Sequence, residues 1–160
     1  MSTSSIATRT IPLPSARVFV GGVYAVCVLG LMSVFVLQIV FTDTDPYASE
    51  GPVDSLLGVG LIGTIALGIG VGTTLALRRT PERAKVGAVA LGALTVLTLV
   101  VWWSGAPGVL GACAAWLAGL TRGGTPLSGA ARVAGILGAF VALLNIVFTV
   151  GGVALAPFFG

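Results

Sequence analysis

Long apolar segments without charge constrain this chain more than any other feature. The longest, Val86–Leu120, has 35 residues and contains no Asp, Glu, Lys or Arg. A helix needs about 20 mostly apolar residues to cross the hydrocarbon core of a bilayer. Only 8% of the whole chain is charged, whereas a soluble domain has about 25% charged residues because water must hydrate its surface. Lipid must therefore cover much of the molecule, and we expect an all-α integral membrane protein.

Five transmembrane helices are predicted in a single bundle, residues 17–156. Their expected ranges are 18–41, 56–77, 86–103, 107–121 and 132–155. The third and fourth come from the long uncharged run, which the stretch Ser104–Gly108 (SGAPG) interrupts. Proline near the start of a helix and glycine in a tight turn are typical of a chain reversal. We therefore expect a hairpin turn at the outer membrane surface, with Trp102 and Trp103 in the interfacial aromatic belt.

The distribution of positive charge gives the expected topology. Basic residues of short loops collect on the cytoplasmic side, and two crossings within 86–121 place all eight basic residues of this chain on one side. The tail 1–16 is then cytoplasmic and the carboxyl terminus lies outside. The alternative is four crossings, with 86–121 kinked or re-entrant, which leaves Arg122 and Arg132 outside. The basic residues are Arg9, Arg17, Arg78, Arg79, Arg83, Lys85, Arg122 and Arg132.

Small residues recur every four positions along three predicted helices. Such stripes let helix backbones approach closely, which drives packing where lipid removes the hydrophobic effect between helices. The stripes pack either inside the bundle or, for the second helix, against another subunit, and both interpretations stay open. Their members are Gly60, Thr64, Gly68, Gly72 and Ala76; Gly111, Ala115 and Gly119; and Ala131, Gly135 and Ala139, beside Ala134, Gly138 and Ala142.

Two amides are the notable polar groups at predicted membrane depth, since no predicted crossing contains a charged residue apart from its ends. Gln38 lies near the outer end of the first helix and Asn145 near the middle of the last. A buried amide needs hydrogen-bond partners. Asn145 either bonds across a helix interface, which we favour, or lines a solute path or ligand site. Cys27 and Cys113 are expected to be small buried hydrophobes.

The loops carry the remaining charge. The outer loop 42–55 contains Asp43, Asp45, Glu50 and Asp54 without a basic residue. Their spacing does not match a calcium-binding loop, so a hydrated acidic surface is expected and no metal site. Asp54 is also placed to stabilise the start of the second helix. On the inner side, Arg78, Arg79, Arg83 and Lys85 either bind anionic lipid head groups or only enforce topology.

The residue inventory disfavours catalysis. The chain has no histidine, which removes the commonest catalytic base and histidine-ligated haem, and it places no carboxylate at membrane depth. We expect no enzyme activity, no cofactor and no nucleic-acid binding. The expected function is a non-catalytic accessory, assembly or scaffolding subunit, in contact with lipid and with other membrane subunits or itself.

A small oligomeric transporter or channel for a neutral or apolar solute is the alternative function. Its path-lining candidates are Asn145, Gln38, Thr64, Thr95 and Thr98. An enzyme acting on lipid ranks third. The abundance of Ala, Gly, Val and Leu, with seven Arg and one Lys, suggests a bacterial protein of the cytoplasmic membrane. The residues resemble no characterised family.

Overall fold

Helices account for every element of the computed structural model, which describes residues 13–41 and 52–155. Three stretches are long and apolar enough to cross a membrane, namely Gly60–Leu77, Pro81–Ser104 and Ala130–Leu155. The predicted all-helical membrane fold is confirmed to this extent. The elements are α1 (Ala16–Phe41), α2 (Pro52–Leu77), α3 (Pro81–Leu97), a 3₁₀ segment (Thr98–Ser104), α4 (Ala106–Leu117) and α5 (Ala130–Leu155).

The helix termini follow from local sequence. At the start of α3, the Thr80 hydroxyl accepts a hydrogen bond from the Arg83 N–H at 3.4 Å, and Pro81 occupies the first turn. Both features satisfy or remove N–H groups that have no partner within the helix. Helix α2 begins at Pro52. The last residues of the outer loop predicted over 42–55 therefore belong to this helix.

The end of α4 differs from its predicted end at residue 121. Gly119 adopts a left-handed conformation with φ of 74°, and its N–H donates to the Trp116 carbonyl while the Leu120 N–H donates to the Ala115 carbonyl. This pair of bonds is a Schellman motif, which ends a helix by satisfying its last carbonyls. Gly119 therefore terminates α4 and is not part of the packing stripe predicted along it.

The short helix α4 forms the centre of the bundle. Its 12 residues give a length of about 18 Å, well below the roughly 30 Å of a hydrocarbon core. All of them are buried except Trp116, which is half-buried. The other four helices therefore cover α4, and lipid touches little of it. This burial explains how so short an apolar helix remains in a membrane bundle.

Close packing of α4 against α5 depends on glycine. A Cβ atom at Gly111 would overlap the Gly138 carbonyl, and one at Gly138 would overlap the Gly111 carbonyl. A Cβ at Gly135 would overlap the Ala118 side chain. The predicted stripes on the fourth and fifth helices thus face each other inside the bundle. Ala115 is buried in the same interface region and Ala139 is half-buried.

Helices α3 and α4 form a hairpin that starts and ends at one end of the bundle. The Arg122 N–H after α4 donates to the Pro14 carbonyl before α1 at 3.0 Å. The Arg78 guanidinium at the end of α2 lies 6.0 Å from the centre of the Trp116 ring. We call this the basic end, because the described basic residues lie here: Arg17, Arg78, Arg79, Arg83, Lys85, Arg122 and Arg132. This arrangement contradicts a single kinked crossing through 86–121.

The turn of this hairpin is buried within the bundle, whereas the sequence predicted a turn at the outer membrane surface. Ser104 is only 3% exposed. A side chain at Gly105 would meet Cys27, which lies 11 residues into α1, with 14 more residues following it. Asn145 lies at the same level of α5, with 10 residues following it. The turn therefore lies about 15–22 Å from the basic end along helices about 39 Å long.

Candidate functional site

The buried turn is the centre of the candidate site, where α1 and α5 bring their polar side chains together. The Cys27 thiol donates to Asn145 Oδ1 with an S···O distance of 2.8 Å. Asn145 Nδ2 donates to the Trp102 carbonyl at 3.4 Å. Asn145 is 2% exposed and Cys27 is 4% exposed. The amide thus joins three separate parts of the chain, which is the structural role favoured from the sequence.

The backbone of the turn is not helical, so its N–H and carbonyl groups need hydrogen-bond partners such as the Asn145 amide. Val101 has φ −107° and ψ 43°, which interrupts the 3₁₀ segment, and Gly105 has φ 71°. Backbone groups that are buried away from water need hydrogen-bond partners within the protein. The Ser104 hydroxyl provides two bonds, donating to the Val101 carbonyl at 2.7 Å and accepting from the Ala106 N–H at 3.2 Å. Ser104 therefore acts as the local cap of the turn.

Glycine at two positions lets the turn approach its neighbours. A Cβ at Gly105 would lie 2.7 Å from the Cys27 Cβ, and one at Gly108 would lie 3.0 Å from Asn145 Oδ1. The positive φ of Gly105 adds a second reason for glycine, since this conformation is strained for other residues. The sequence SGAPG thus fits both the backbone conformation and the tight space between α1 and α5.

A cavity of about 200 Å³ lies beside the turn and opens at the side of the bundle. Trp102 and Phe148 form part of its wall, with an edge-to-face arrangement and ring centres 5.7 Å apart. Trp103 is 60% exposed at the same place. These tryptophans therefore lie alongside the buried turn, not beyond the end of the helices. The cavity is lined by Cys27, Gly30, Trp102, Trp103, Gly105, Phe148, Thr149 and Gly152.

The threonines predicted as path-lining residues mostly bond to their own helices. Thr64, Thr95 and Thr98 each donate to the carbonyl four residues earlier, at 2.7–2.9 Å. Thr95 is fully buried, and none of the three lines the cavity beside the turn. Thr64 also lies 3.1 Å from the Tyr24 hydroxyl, which links α2 to α1. Asn145 is the predicted polar residue that the structure brings to the turn.

The predicted stripe on α2 faces away from the bundle. All five of its members are exposed, and a Cβ at Gly60, Gly68 or Gly72 would have no atom within 4 Å. The opposite face of α2 contacts the core through Gly63, Ala66, Gly70 and Thr74, which are buried. A Cβ at Gly70 would lie 2.8 Å from Cys113 Sγ. The helix therefore has two small-residue faces, and the stripe predicted from the sequence is the one that contacts none of the described residues of this chain.

Other predicted residues lie apart from the turn. Arg78, Arg79, Arg83 and Lys85 are exposed at the basic end. Asp43, Asp45 and Glu50 lie outside the described residues. The structure gives only the helical positions of Gln38, three residues before the end of α1, and of Asp54, in the first turn of α2. Among the residues described, no group of three or more His, Cys, Asp or Glu side chains is arranged to hold a metal ion.

Several residues of the turn were not predicted as site residues. Ser104, Gly105 and Gly108 were interpreted as an exposed loop, and Thr149 was not singled out. Two features of the sequence could have indicated a buried turn. The predicted helix after it is short, and the residues before and after the turn are uncharged. An apolar helix of insufficient length is most readily accommodated inside a bundle, and its turn is then buried as well.

Comparisons with protein-family models, with curated proteins and with solved structures found no match to this chain.

Proposed function

We propose that this protein is a non-catalytic membrane subunit that packs against a transmembrane helix of another subunit through the outward stripe of α2. The observation that carries the proposal is the open surface over Gly60, Gly68 and Gly72, where a Cβ would meet no atom of the described residues within 4 Å. Stripes of this kind allow helix backbones to come close enough for extensive van der Waals contact. The α4 and α5 stripes already pair with each other, so the free stripe is the one on α2.

The stripe has the composition and length of a helix-packing surface. Gly60, Thr64, Gly68, Gly72 and Ala76 extend over 17 residues of α2, about 24 Å of helix. Larger apolar side chains flank the stripe, with Leu61 61% exposed and Ile65 51% exposed. A shallow groove between such ridges accepts the ridge of a second helix. The partner surface required is therefore an apolar transmembrane helix.

The proposed topology has a cytoplasmic amino terminus and three full crossings, formed by α1, α2 and α5. The α3–α4 hairpin enters from the cytoplasmic side and reverses inside the bundle. Positive charge supports this orientation, because the basic residues of short loops favour the cytoplasm and the described ones share one end. The carboxyl terminus is then outside. The arrangement fits a multi-pass protein of a bacterial cytoplasmic membrane.

Native mass spectrometry of the protein extracted in mild detergent tests the assembly proposal. We expect a defined complex, either with a second copy or with another membrane protein in fixed stoichiometry. Gly68→Ile and Gly72→Ile should each dissociate it, because the added side chain separates the helices. The matched control is Gly22→Ile on α1, since Gly22 is also exposed with nothing within 4 Å of its Cβ position. A strict monomer without a fixed partner, or a complex retained in both stripe variants, contradicts the proposal.

Transport of a neutral or apolar solute by an oligomer is a second candidate function. It is favoured by the non-helical backbone within the bundle beside a cavity of about 200 Å³. Interrupted helices at membrane depth recur at the substrate sites of transporters. Asn145 and Thr149 supply the polar groups next to this cavity. Helix α4 occupies the centre of the bundle in a single chain. A continuous path for a solute would therefore lie between the chains of an oligomer.

Reconstituted vesicles test this second function through osmotic swelling with glycerol or urea. Flux that falls in Asn145→Leu, while a Gly22→Ile control retains it, supports transport. Absence of flux in the wild-type protein, or flux unchanged in Asn145→Leu, contradicts it.

A further inference from the structure

An open groove at the basic end lies between α3 and the beginning of α5. Its volume is about 440 Å³. Its lining is mainly apolar, and Lys85 and Ser128 supply the polar side chains. The lining residues are Lys85, Val86, Val89, Ala90, Ser128, Ala130 and Ala131.

The polar part of the groove offers donors and positive charge. Lys85 is exposed and forms no ion pair with any carboxylate whose side chain the structure describes. Within the same part of the chain, the Ser128 hydroxyl and the N–H groups of Ala130 and Ala131 have no acceptor, because the first bonds of α5 run from Arg132 and Val133 to the Gly129 carbonyl. An anion with several oxygen atoms would satisfy these groups together.

The apolar part continues from Lys85 along the exposed face of α3. Val86 is 68% exposed and Val89 is 41% exposed, and Ala90 leaves the groove open between them and α5. In a membrane, a surface of this kind at this depth contacts acyl chains. The occupant must therefore combine an anionic oxygen-rich group with a hydrocarbon chain attached to it.

We propose that this groove is a binding site for one anionic phospholipid. Its phosphate contacts Lys85, Ser128 and the first N–H groups of α5, and one acyl chain lies along Val86, Val89 and Ala90. Charge selects the head group, and the neighbouring acid Glu82, three residues before Lys85, lines a different pocket with Leu77 and Arg83. The proposal is independent of the assembly surface on α2, which lies on another helix.

Native mass spectrometry of delipidated protein with added phosphatidylglycerol or phosphatidylcholine tests the site. Wild-type protein should bind phosphatidylglycerol more tightly. Lys85→Gln should weaken phosphatidylglycerol binding about five-fold, as expected for loss of one interfacial charge. It should weaken phosphatidylcholine binding less, because the choline cation offsets the charge of that lipid's phosphate. The matched control is Arg79→Gln, which removes an equally exposed charge at the same end but does not line the groove.

A second pair of variants tests the apolar part. Ala90→Phe should fill the groove and weaken binding of both lipids, whereas Ala25→Phe, at an exposed position of α1, should not. Equal losses in Lys85→Gln and Arg79→Gln would show diffuse attraction and overturn the proposal, as would unchanged binding in Ala90→Phe. Displacement of the bound lipid by inorganic phosphate would instead identify a soluble anion as the ligand and would also overturn it.

Discussion

The thiol of Cys27 donates to Oδ1 of Asn145 at 2.8 Å. This bond joins α1 to α5 through two residues that are 118 positions apart in the chain. The same amide donates to the Trp102 carbonyl, so it supplies a partner to backbone that has left the helical pattern. The polar groups of α1, α5 and the hairpin therefore form one buried network. Lipid has no hydrogen-bonding groups to replace any member.

Asn145→Ala should lower the free energy of unfolding by about 1–2 kcal/mol, because it leaves the Trp102 carbonyl without its partner. Cys27→Ala should cost less, since a weak S–H donor is lost with a small apolar volume. Unfolding in mixed micelles measures both. A double-mutant cycle should give a coupling of about 0.6 kcal/mol between the two positions. Strictly additive costs would mean that the thiol contact does not contribute to stability.

Gly105→Ala should reduce the yield of folded protein and destabilise what remains by more than 2 kcal/mol. Two costs combine here, a left-handed backbone conformation and a Cβ that would lie 2.7 Å from the Cys27 Cβ. Gly123→Ala separates them, because Gly123 has φ 81° but nothing within 4 Å of its Cβ position. We expect that control to cost only about 1–2 kcal/mol. If thermal unfolding shows equal losses of stability for both variants, close packing at the turn does not contribute to the cost of Gly105→Ala.

The sequence predicted the helices well, because the length and charge of each apolar run limit what it can form in a membrane. The expected ranges of the first, second and last helices agree with α1, α2 and α5 to within four residues at each end, whereas α3 begins at Pro81, five residues before its predicted start at 86. The end of α4 was predicted too late, although Gly119 followed by Leu120 is a recognisable helix stop. The grouping of basic residues at one end also followed from their positions in short loops.

The depth of the turn was not predictable from local sequence. Ser104–Gly108 has the same turn-forming residues whether water or protein surrounds it. Its burial depends on Cys27 and Asn145, which are far away in the chain. The same limitation applies to the glycine stripes. The spacing of small residues shows that one face of a helix lacks large side chains, but it does not show which helix packs against that face. Only the arrangement of the helices shows that Gly111 contacts Gly138 and that Gly68 faces no other part of the chain that the structure describes.

Gly111→Ala should destabilise the bundle by about 1–3 kcal/mol, because the added methyl group would overlap the Gly138 carbonyl, which is backbone and cannot rotate away. Gly68→Ala is the matched control, with the same chemical change on a helix face where nothing lies within 4 Å. It should be neutral or slightly stabilising for the isolated chain, since alanine favours helix. The midpoint of thermal unfolding in detergent compares the two variants. A larger loss for Gly68→Ala would contradict the assignment of the inward and outward stripes.

The burial of the hairpin turn predicts a labelling pattern that an exposed outer turn would not give. In a Cys27→Ser, Cys113→Ala background, Ser104→Cys should resist a membrane-impermeant maleimide added to intact cells and should still resist after the membrane is opened. Only denaturation should make it reactive, because this position is 3% exposed in the folded bundle. Ser128→Cys is exposed at the basic end, which is cytoplasmic in the proposed topology, so it should react once the membrane is opened. Rapid reaction of Ser104→Cys in intact cells would show that the turn reaches the outer surface, in which case α3 and α4 cross the membrane completely.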